Sequence, residues 1–187
     1  GKIVVVGGDF YIARFMPDGS LDAGFGSGGY VQVPFTGSDE AYAAGMAMGG
    51  SGSIFAGGLA EDWDLGRLDF ALAKLRATGE LANDFGIAGT VTTDLSDSSD
   101  GIEDLLVLPD GRIVAIGVPG SGSFSLVRYH GDGSIDTTFG EDGRVDTDFG
   151  GDDRPRAGAL QGDGKIVAAG FSLVEGDAKF AIARYAV

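Results

Sequence analysis

Carboxylates are the side chains with the most capacity for chemistry in this sequence: 28 Asp and Glu outnumber 13 Lys and Arg, and the net charge is −15. One dense cluster is the segment Asp-Ser-Ser-Asp-Gly-Ile-Glu-Asp, which holds Asp97, Asp100, Glu103 and Asp104. Such oxygens suit a hard cation like Ca²⁺, which takes about six to eight oxygen ligands, although the spacing is not that of an EF-hand. The sequence predicts these four residues as metal ligands, with a solvated acidic rim as the alternative.

A second set of candidates includes the only tryptophan, Trp63, which lies between Asp62 and Asp64. An aromatic ring beside carboxylates can anchor a protein partner or stack on a sugar ring. A later acidic loop holds Asp152 and Asp153. The predicted ligand- or partner-binding residues are therefore Trp63, Asp62, Asp64, Asp152 and Asp153. For Trp63 the alternative is an indole that folds back and covers a strand.

No catalytic residues are predicted. The single histidine, His130, stands before a Gly-Asp-Gly turn, and the chain has no cysteine. A histidine-based catalytic triad, a His-rich or Cys-ligated zinc site and a disulfide framework are therefore excluded. Glycine clusters such as 26–29 precede strand-like runs rather than a helix, so a phosphate-binding loop is not indicated either.

The charge also limits the partners. An acidic chain repels phosphate backbones and anionic lipid surfaces, so we expect neither nucleic acid nor membrane binding. No segment approaches the roughly 18 apolar residues of a membrane span. The expected partner is a protein or a glycan on an acidic surface. No cofactor is predicted firmly, and Ca²⁺ stays open.

An internal repeat must position these residues. A base ends an aromatic strand-like run at Arg14, Lys74, Arg128 and Arg184, at spacings of 60, 54 and 56 residues. This recurrence predicts a structural ion pair with an aspartate of the following turn, with a ring of basic ligand-binding residues as the alternative. The repeat units run over about 1–37, 38–96, 97–150 and 151–187 and form a single domain, 1–187.

A complete unit is predicted to contain four strands. In the third unit we expect them at 102–108, 112–117, 124–129 and 144–149, with a turn at Pro109-Asp110-Gly111. Because no segment shows a sustained 3.6-residue apolar period, almost no helix is expected. First strands such as 41–47 are small and apolar on both faces, which indicates burial near an axis. The predicted fold is all-β, a β-propeller of four-stranded antiparallel blades.

The repeat resembles the delta-60 repeat family. The motifs that carry the resemblance are Phe180-Ala-Ile-Ala-Arg-Tyr185, Gly133-Ser-Ile-Asp-Thr-Thr-Phe-Gly140 and Arg144-Val-Asp-Thr-Asp-Phe149. The second unit diverges, with Ala82-Asn83 at the Asp-Thr position. The resemblance implies a β-propeller in bacterial secreted or surface proteins, and it brings no known activity or catalytic residues.

The predicted strands amount to about 3.5 blades, whereas closed propellers have about four to eight. Three solutions stay open: more chain, since Gly1-Lys2-Ile3 already lies in a strand-like run; a second copy; or a compact four-bladed closure. An incomplete arc leaves sheet edges and faces uncovered.

Acidic residues and variable loop lengths fall on one predicted face of the blades. The longest of these loops is expected at 59–69. Variable loops on a constant scaffold are typical binding surfaces. The predicted function is a non-catalytic structural or binding module at an extracellular or cell-surface location. A Ca²⁺-dependent hydrolase of lactonase type and a glycan-binding propeller are the alternatives.

Overall fold

The computed structural model describes residues 1–38, 40–62 and 64–186, which form an all-β architecture. These residues contain one short 3-10 helix, Gly50–Gly52. The strands are β1 (Ile3–Gly7), β2 (Tyr11–Phe15), β3 (Tyr30–Gln32), β4 (Ala41–Met48), β5 (Ile54–Asp62), β6 (Arg67–Leu75), β7 (Thr90–Thr93), β8 (Gly101–Val107), β9 (Ile113–Val118), β10 (Phe124–Tyr129), β11 (Arg144–Thr147), β12 (Asp152–Leu160), β13 (Ile166–Val174) and β14 (Asp177–Tyr185). The predicted absence of substantial helix is thereby confirmed within the described residues.

The strands form four antiparallel sheets in which chain neighbours are also hydrogen-bonded neighbours. Sheet 1 contains β1 to β3, sheet 2 contains β4 to β7, sheet 3 contains β8 to β11, and sheet 4 contains β12 to β14. Sheets 2 and 3 are complete four-stranded units. Sheet 1 has the second, third and fourth strands of such a unit, and sheet 4 has the first, second and third. The predicted order of strands is confirmed, and the arrangement is that of an open propeller arc.

The first strands of the complete units lie beside one another, as strands near a propeller axis do. β4 packs against β8, and β8 packs against β12. Each of these three strands carries a register shift at one equivalent place, between Ala43 and Gly45 in β4. The second strand has a glycine opposite the shift, such as Gly58, where a Cβ would collide with the carbonyl of Tyr42. Part of the high glycine content therefore follows from bulged inner strands.

The hydrophobic core is divided into three layers, one between each pair of successive sheets. Between sheets 1 and 2, Phe10 and Ile12 pack with Ile54 and Leu75 of the next sheet. The corresponding layers between sheets 2 and 3 and between sheets 3 and 4 are built in the same way. The sheets thus bury their faces against one another, which is how propeller blades are stabilised.

The recurring base at the end of the third strand forms the predicted ion pair in three units. Arg14 Nε lies 2.5 Å from Asp22 Oδ2, and Arg128 Nε lies 2.8 Å from Asp136 Oδ2. In both units the guanidinium also lies over the phenylalanine of the following turn. In the diverged second unit, Lys74 pairs with Asp84 at 3.4 Å instead. The base therefore holds the turn that leads to the fourth strand.

In the third unit, one strand end differs by more than one residue from the sequence prediction. The last strand of the third unit ends at Thr147 rather than at residue 149. The reason is that Asp148 accepts a hydrogen bond from the Gly150 backbone N–H at 2.7 Å and so begins a turn.

The described part of the chain contains no helix with the length and hydropathy needed to cross a bilayer.

Candidate functional site

The loops that join successive sheets lie on the same side as the loops between second and third strands. The backbone N–H of Asp100 donates to the Leu68 carbonyl at 2.6 Å, and that of Asp153 donates to the Gly122 carbonyl at 2.8 Å. Each bond connects the start of one sheet with the preceding sheet. We call this side the loop face; its described connecting residues are 8–10, 33–38, 40, 64–66, 94–100, 119–123, 148–151 and 175–176.

The segment that was predicted to be a long loop, 59–69, is mostly a hairpin. β5 and β6 stay in register as far as the pair Asp62 and Arg67, so the connection is only 63–66. Asp62 Oδ1 accepts from the backbone N–H of Asp64 at 2.9 Å and of Leu65 at 3.0 Å, which starts the turn. The prediction of a long loop was wrong because the pairing of β5 with β6 continues without a break from Ile54 and Leu75 to Asp62 and Arg67. Trp63 lies outside the described residues.

Three carboxylates meet where the β5–β6 hairpin touches the connection between sheets 2 and 3. Oxygen atoms of Asp69, Asp94 and Asp100 lie within 4.8 Å of one another. Asp69 and Asp100 are buried, whereas Asp94 is exposed. We call these three residues the aspartate triad. Asp69 and Asp94 were not among the residues predicted from the sequence, because only the fold places the third strand of one sheet beside the next connection.

Two members of the aspartate triad already have local roles. Asp100 accepts hydrogen bonds from the backbone N–H groups of Leu95 at 2.8 Å and Gly120 at 2.9 Å. Asp94 pairs with the Arg67 guanidinium and accepts from the Ser96 backbone N–H at 3.1 Å. These contacts fix the connection 94–100 against its neighbours, and they use most of the hydrogen-bonding capacity of both carboxylates.

Asp69 is different, since its environment disfavours the charged form. Its Oδ1 is buried without a hydrogen-bond partner in the described part of the chain, and the closest base atom is Arg67 Nε at 4.0 Å. Burial raises the pKa of Asp69 to about 6, and the negative charge of Asp94 adds to the rise while Arg67 opposes it. A positive charge placed beside Asp69 would therefore stabilise the ionised form of its carboxyl group.

The four predicted metal ligands do not converge on one point. Asp100 belongs to the aspartate triad, while Asp97 is fully exposed and lies 3.6 Å from Arg67. Glu103 pairs with Arg156 of the next sheet at 2.7 Å. Asp104 Oδ2 accepts from the Gly158 backbone N–H at 2.7 Å and so joins two inner strands. The metal assignment of these four stays a prediction, and the triad is the carboxylate group that the fold assembles.

The predicted partner residues of the later loop border a groove of about 710 Å³ on the loop face. Asp152 lines it and pairs with Arg154 at 2.9 Å. Asp153 is fully buried, and its Oδ2 accepts from the Phe149 backbone N–H at 2.6 Å. Asp152 thus lies where a partner has access, whereas Asp153 lies beneath that surface.

Tyr42 has an exposed aromatic side chain near the loop face and lies close to several acidic residues. These residues were not predicted from the sequence to form a group. Tyr42 Oη donates to Glu40 Oε2 at 3.5 Å, and the negative charge of Glu40 raises the pKa of this hydroxyl, with burial and Asp9 contributing further. The backbone N–H of Glu61 donates to the Glu40 carbonyl at 2.8 Å, which brings the hairpin alongside. We call Asp9, Glu40, Tyr42 and Glu61 the Tyr42 surface. Within the described residues, none of the three acids of the Tyr42 surface forms an ion pair with a base.

The Tyr42 surface was missed because its members are spread over three sequence segments. Asp9 follows β1, Glu40 precedes β4, and Glu61 lies in β5. The one usable signal was the aromatic residue in a first strand, 41–47, that otherwise consists of Ala, Gly and Met. Its position at the loop end of that strand follows only from the sheet order.

Comparison with known proteins agrees with this architecture. Residues 1–25, 108–139 and 161–186 match a family model described as a domain of unknown function, DUF5122, beta-propeller. No curated protein matches the chain. The matched segments contain strands of sheets 1, 3 and 4, with the recurring bases Arg14, Arg128 and Arg184 and the turns that follow the first two of them. Together with the four stacked antiparallel sheets, the match supports a β-propeller repeat architecture for this chain.

Proposed function

We propose that this chain is a non-catalytic binding module of a secreted or cell-surface protein, of the delta-60 repeat type, whose loop face binds a cationic group of a protein partner. The observation that carries the proposal is the Tyr42 surface. An exposed tyrosine ring beside three acids combines a π-face with negative charge, which is the chemistry that holds a Lys or Arg side chain. The net charge of −15 adds long-range attraction for such a partner.

The geometry supports a fixed site rather than a diffuse charge. Tyr42 and Glu61 lie on adjacent paired strands, β4 and β5, and the Glu40 carbonyl holds the Glu61 backbone. The Ala43 backbone N–H donates to the Gly8 carbonyl at 3.3 Å, so the loop with Asp9 is connected to the same strand. Sites held by strands need little reorganisation on binding, which favours affinity.

The test is calorimetric titration of the chain with a hexalysine peptide and with the same peptide fully acetylated at its lysines. We expect the charged peptide to bind, with an affinity that falls as salt is raised, and the acetylated peptide not to bind. The double variant Glu40→Gln, Glu61→Gln should weaken binding by about tenfold, since two close charges are lost. Tyr42→Ala should weaken it further than Tyr42→Phe, because the ring supplies the contact.

A matched control is Glu141→Gln, Asp142→Asn, which removes the same charge from exposed positions in the turn before β11, on the opposite side of the sheets. It should leave the affinity within about twofold. Equal weakening by both double variants would show that net charge alone attracts the peptide. Turnover of lactones, or glycan binding that is insensitive to the Tyr42 surface, would instead support one of the alternative functions.

A second candidate function, binding of Ca²⁺ at the aspartate triad, is favoured by the buried unpaired oxygen of Asp69. A cation there would offset the two effects that raise the pKa of Asp69, which are its burial and, second, the negative charge of Asp94. The experiment is titration of chelator-treated protein with Ca²⁺ and Mg²⁺, comparing the native chain with Asp69→Asn and with the exposed control Asp84→Asn. Binding that only Asp69→Asn abolishes supports the site, and unchanged heats in all three proteins contradict it.

A further inference from the structure

A small pocket on the loop face is lined by four carboxylates. It has a volume of about 220 Å³ and lies between the β5–β6 hairpin and the connection from sheet 1 to sheet 2. Sites for drug-sized ligands begin at about 300 Å³, so this pocket has room for a single side chain or a small ion. We call it the acidic pocket; the polar side chains of its lining belong to Thr36, Glu61, Asp62, Asp64, Asp69 and Thr92.

Asp69 is the buried member of this lining, and its charge is not compensated by a close contact. The residue is 5% exposed, and its Oδ1 has no hydrogen-bond partner in the described part of the chain. Arg67, the closest base, directs its Nη atoms to Asp94 and Asp97, while its Nε stays 4.0 Å from Asp69 Oδ1. Because a buried and uncompensated carboxylate is costly, a positively charged hydrogen-bond donor in the pocket would be stabilising.

The repeat shows that the fold does not need a carboxylate at this position. Asp69 stands immediately before Phe70, the recurring phenylalanine of the third strand. The same position holds a buried serine, Ser123, in sheet 3, a lysine, Lys179, in sheet 4, and an exposed aspartate, Asp9, in sheet 1. A neutral side chain is thus buried there without loss of the sheet. The acid in sheet 2 therefore indicates a ligand of opposite charge rather than a requirement of the fold.

We propose that the acidic pocket binds the primary ammonium group of a lysine side chain and prefers it to the guanidinium group of arginine. The assignment of this lysine to a protein partner rests on the proposed function, since Glu61 belongs both to the acidic pocket and to the Tyr42 surface. The Tyr42 surface attracts either kind of base. The acidic pocket beside it would make the loop face select lysine.

The arrangement of the acceptors favours an ammonium group. They come from four separate segments, because Thr36 lies in the connection between sheets, Asp62 in β5, Asp69 in β6 and Thr92 in β7. An ammonium group is a compact charge with three donors on a flexible stem, so it can bond to acceptors that surround it. A guanidinium group is a planar fork that binds best to two oxygens of one carboxylate. Acceptors placed around a small pocket therefore suit lysine better than arginine.

The carboxylates of the acidic pocket are too dispersed to hold a metal ion among themselves. A Ca²⁺ ion needs oxygen atoms that converge on it at about 2.3–2.6 Å. Among the described residues, the acids whose oxygens lie within 4.8 Å of one another form the aspartate triad, which includes Asp69 but not Glu61, Asp62 or Asp64. A cation at the triad and an ammonium group in the pocket would compete for Asp69, so the ammonium group must be tested without divalent ions.

The experiment is a titration of the chain with n-butylammonium chloride, followed by proton–nitrogen correlation NMR with a chelator present and the ionic strength held constant. At about pH 8 Asp69 is ionised, since its pKa is about 6. We expect saturable shifts that are largest at amides of the lining, such as those of Glu61 and Thr92. n-Butylguanidinium should bind at least about fivefold more weakly, and n-butanol, which has the same carbon chain without a charge, should not bind.

Two variants test the pocket, and a third is the control. Asp69→Asn keeps the shape of the side chain and should weaken binding of n-butylammonium by at least about tenfold, because a hydrogen bond between charged groups is lost. Thr92→Phe fills the pocket without changing the charge and should abolish saturable binding. Thr92 is exposed on β7, so this variant should retain the circular dichroism spectrum of the native chain. The control Asp142→Asn removes an exposed charge elsewhere and should leave the affinity within about twofold.

Unchanged binding in Thr92→Phe, or equal weakening by Asp69→Asn and Asp142→Asn, would overturn the proposed pocket, because either result would mean that net charge alone attracts the amine. Equal affinities for n-butylammonium and n-butylguanidinium would overturn the preference for lysine. The hexalysine titrations report separately on the Tyr42 surface. If n-butylammonium occupies the pocket while Tyr42→Ala leaves hexalysine binding unchanged, the acidic pocket is supported and the proposed function of the Tyr42 surface fails.

Discussion

Tyr129 Oη donates a 2.9 Å hydrogen bond to Thr93 Oγ1, from the third strand of sheet 3 to the last strand of sheet 2. Both residues are buried. The next interface repeats the arrangement, with Tyr185 Oη and Thr147 Oγ1 2.9 Å apart. Burial raises the pKa of the Tyr129 hydroxyl well above its ordinary value, so the neutral phenol persists at any pH at which the protein is studied.

Tyr129→Phe should therefore destabilise the protein by about 1–2 kcal/mol, because Thr93 Oγ1 would lose its donor inside the core. Urea unfolding followed by circular dichroism measures the change. Tyr185→Phe is the matched variant at the outer interface, where the tyrosine is slightly less buried, and should cost less. An unchanged unfolding midpoint for Tyr129→Phe would show that this bond contributes nothing to joining the sheets.

The buried ion pair of Arg128 and Asp136 should make the free energy of unfolding depend on pH in the acidic range. The Thr138 hydroxyl, followed by Arg112 and Arg128, holds the pKa of Asp136 well below its usual range. Because the folded pKa lies below the unfolded one, the stabilisation is present above about pH 4 and is lost as pH falls toward the folded value.

Asp136→Asn should thus be less stable than the native chain at pH 7, and the difference should shrink on acidification. Unfolding curves at pH 7 and at about pH 3 provide the comparison. The control is Asp142→Asn, an exposed aspartate in the following turn, which should match the native chain at both pH values. A constant difference between Asp136→Asn and the native chain would contradict the assignment.

Asp69 should show the opposite pH dependence. Its folded pKa of about 6 lies above the ordinary value of 3.8, so its favourable contribution is complete below about pH 4 and is lost as pH rises through 6. Asp69→Asn should stabilise the metal-free protein at pH 8 by roughly 1–3 kcal/mol and leave its stability nearly unchanged at pH 4. Thermal unfolding in the presence of a chelator measures both; a destabilised variant at pH 8 would refute the raised pKa.

Ala88 occupies a strained backbone position that glycine fills in another unit. Its φ is +52° in the two-residue turn with Gly89, and the equivalent residue in unit one is Gly28. Both central residues of such a turn have positive φ, which costs energy for a residue with a Cβ. Ala88→Gly should stabilise the protein by about 0.5–1 kcal/mol.

The comparison for this prediction is Ala13→Gly within β2, where the backbone is ordinary strand and the same change should destabilise by about 0.5–1 kcal/mol. If urea unfolding shows that the two substitutions change the free energy of unfolding in opposite directions, the backbone strain at Ala88 is supported. If Ala88→Gly is also destabilising, the positive φ at this position does not govern the stability of the turn.

Much of the fold was predictable because each repeat unit carries the same short sequence motifs. The recurring bases at Arg14, Lys74 and Arg128 marked the third strands, and their ion pairs with turn aspartates followed from spacing. The predicted third strand of unit three, 124–129, agrees with β10 at both ends. Errors arose where pairing or turn formation depends on a neighbour, as in the hairpin at 59–69.

The candidate site was less predictable, because its members are distant in sequence. Asp100 was selected, but its neighbours Asp69 and Asp94 were not. Tyr42 was assigned to a buried inner strand, whereas its ring is exposed beside Glu40. A run of acids such as Asp97 to Asp104 indicates charge density. Which oxygen atoms meet depends on the stacking of one sheet on the next.

The sequence by itself determined the repeating strands, their order and the acidic character of the chain, since these depend on residue type and on contacts between chain neighbours. Only the tertiary structure decided which carboxylates share a site and which side chains pack between successive sheets. The physical reason is that propeller blades bury their side chains against other blades, so both the sites and the core are properties of contacts between repeats.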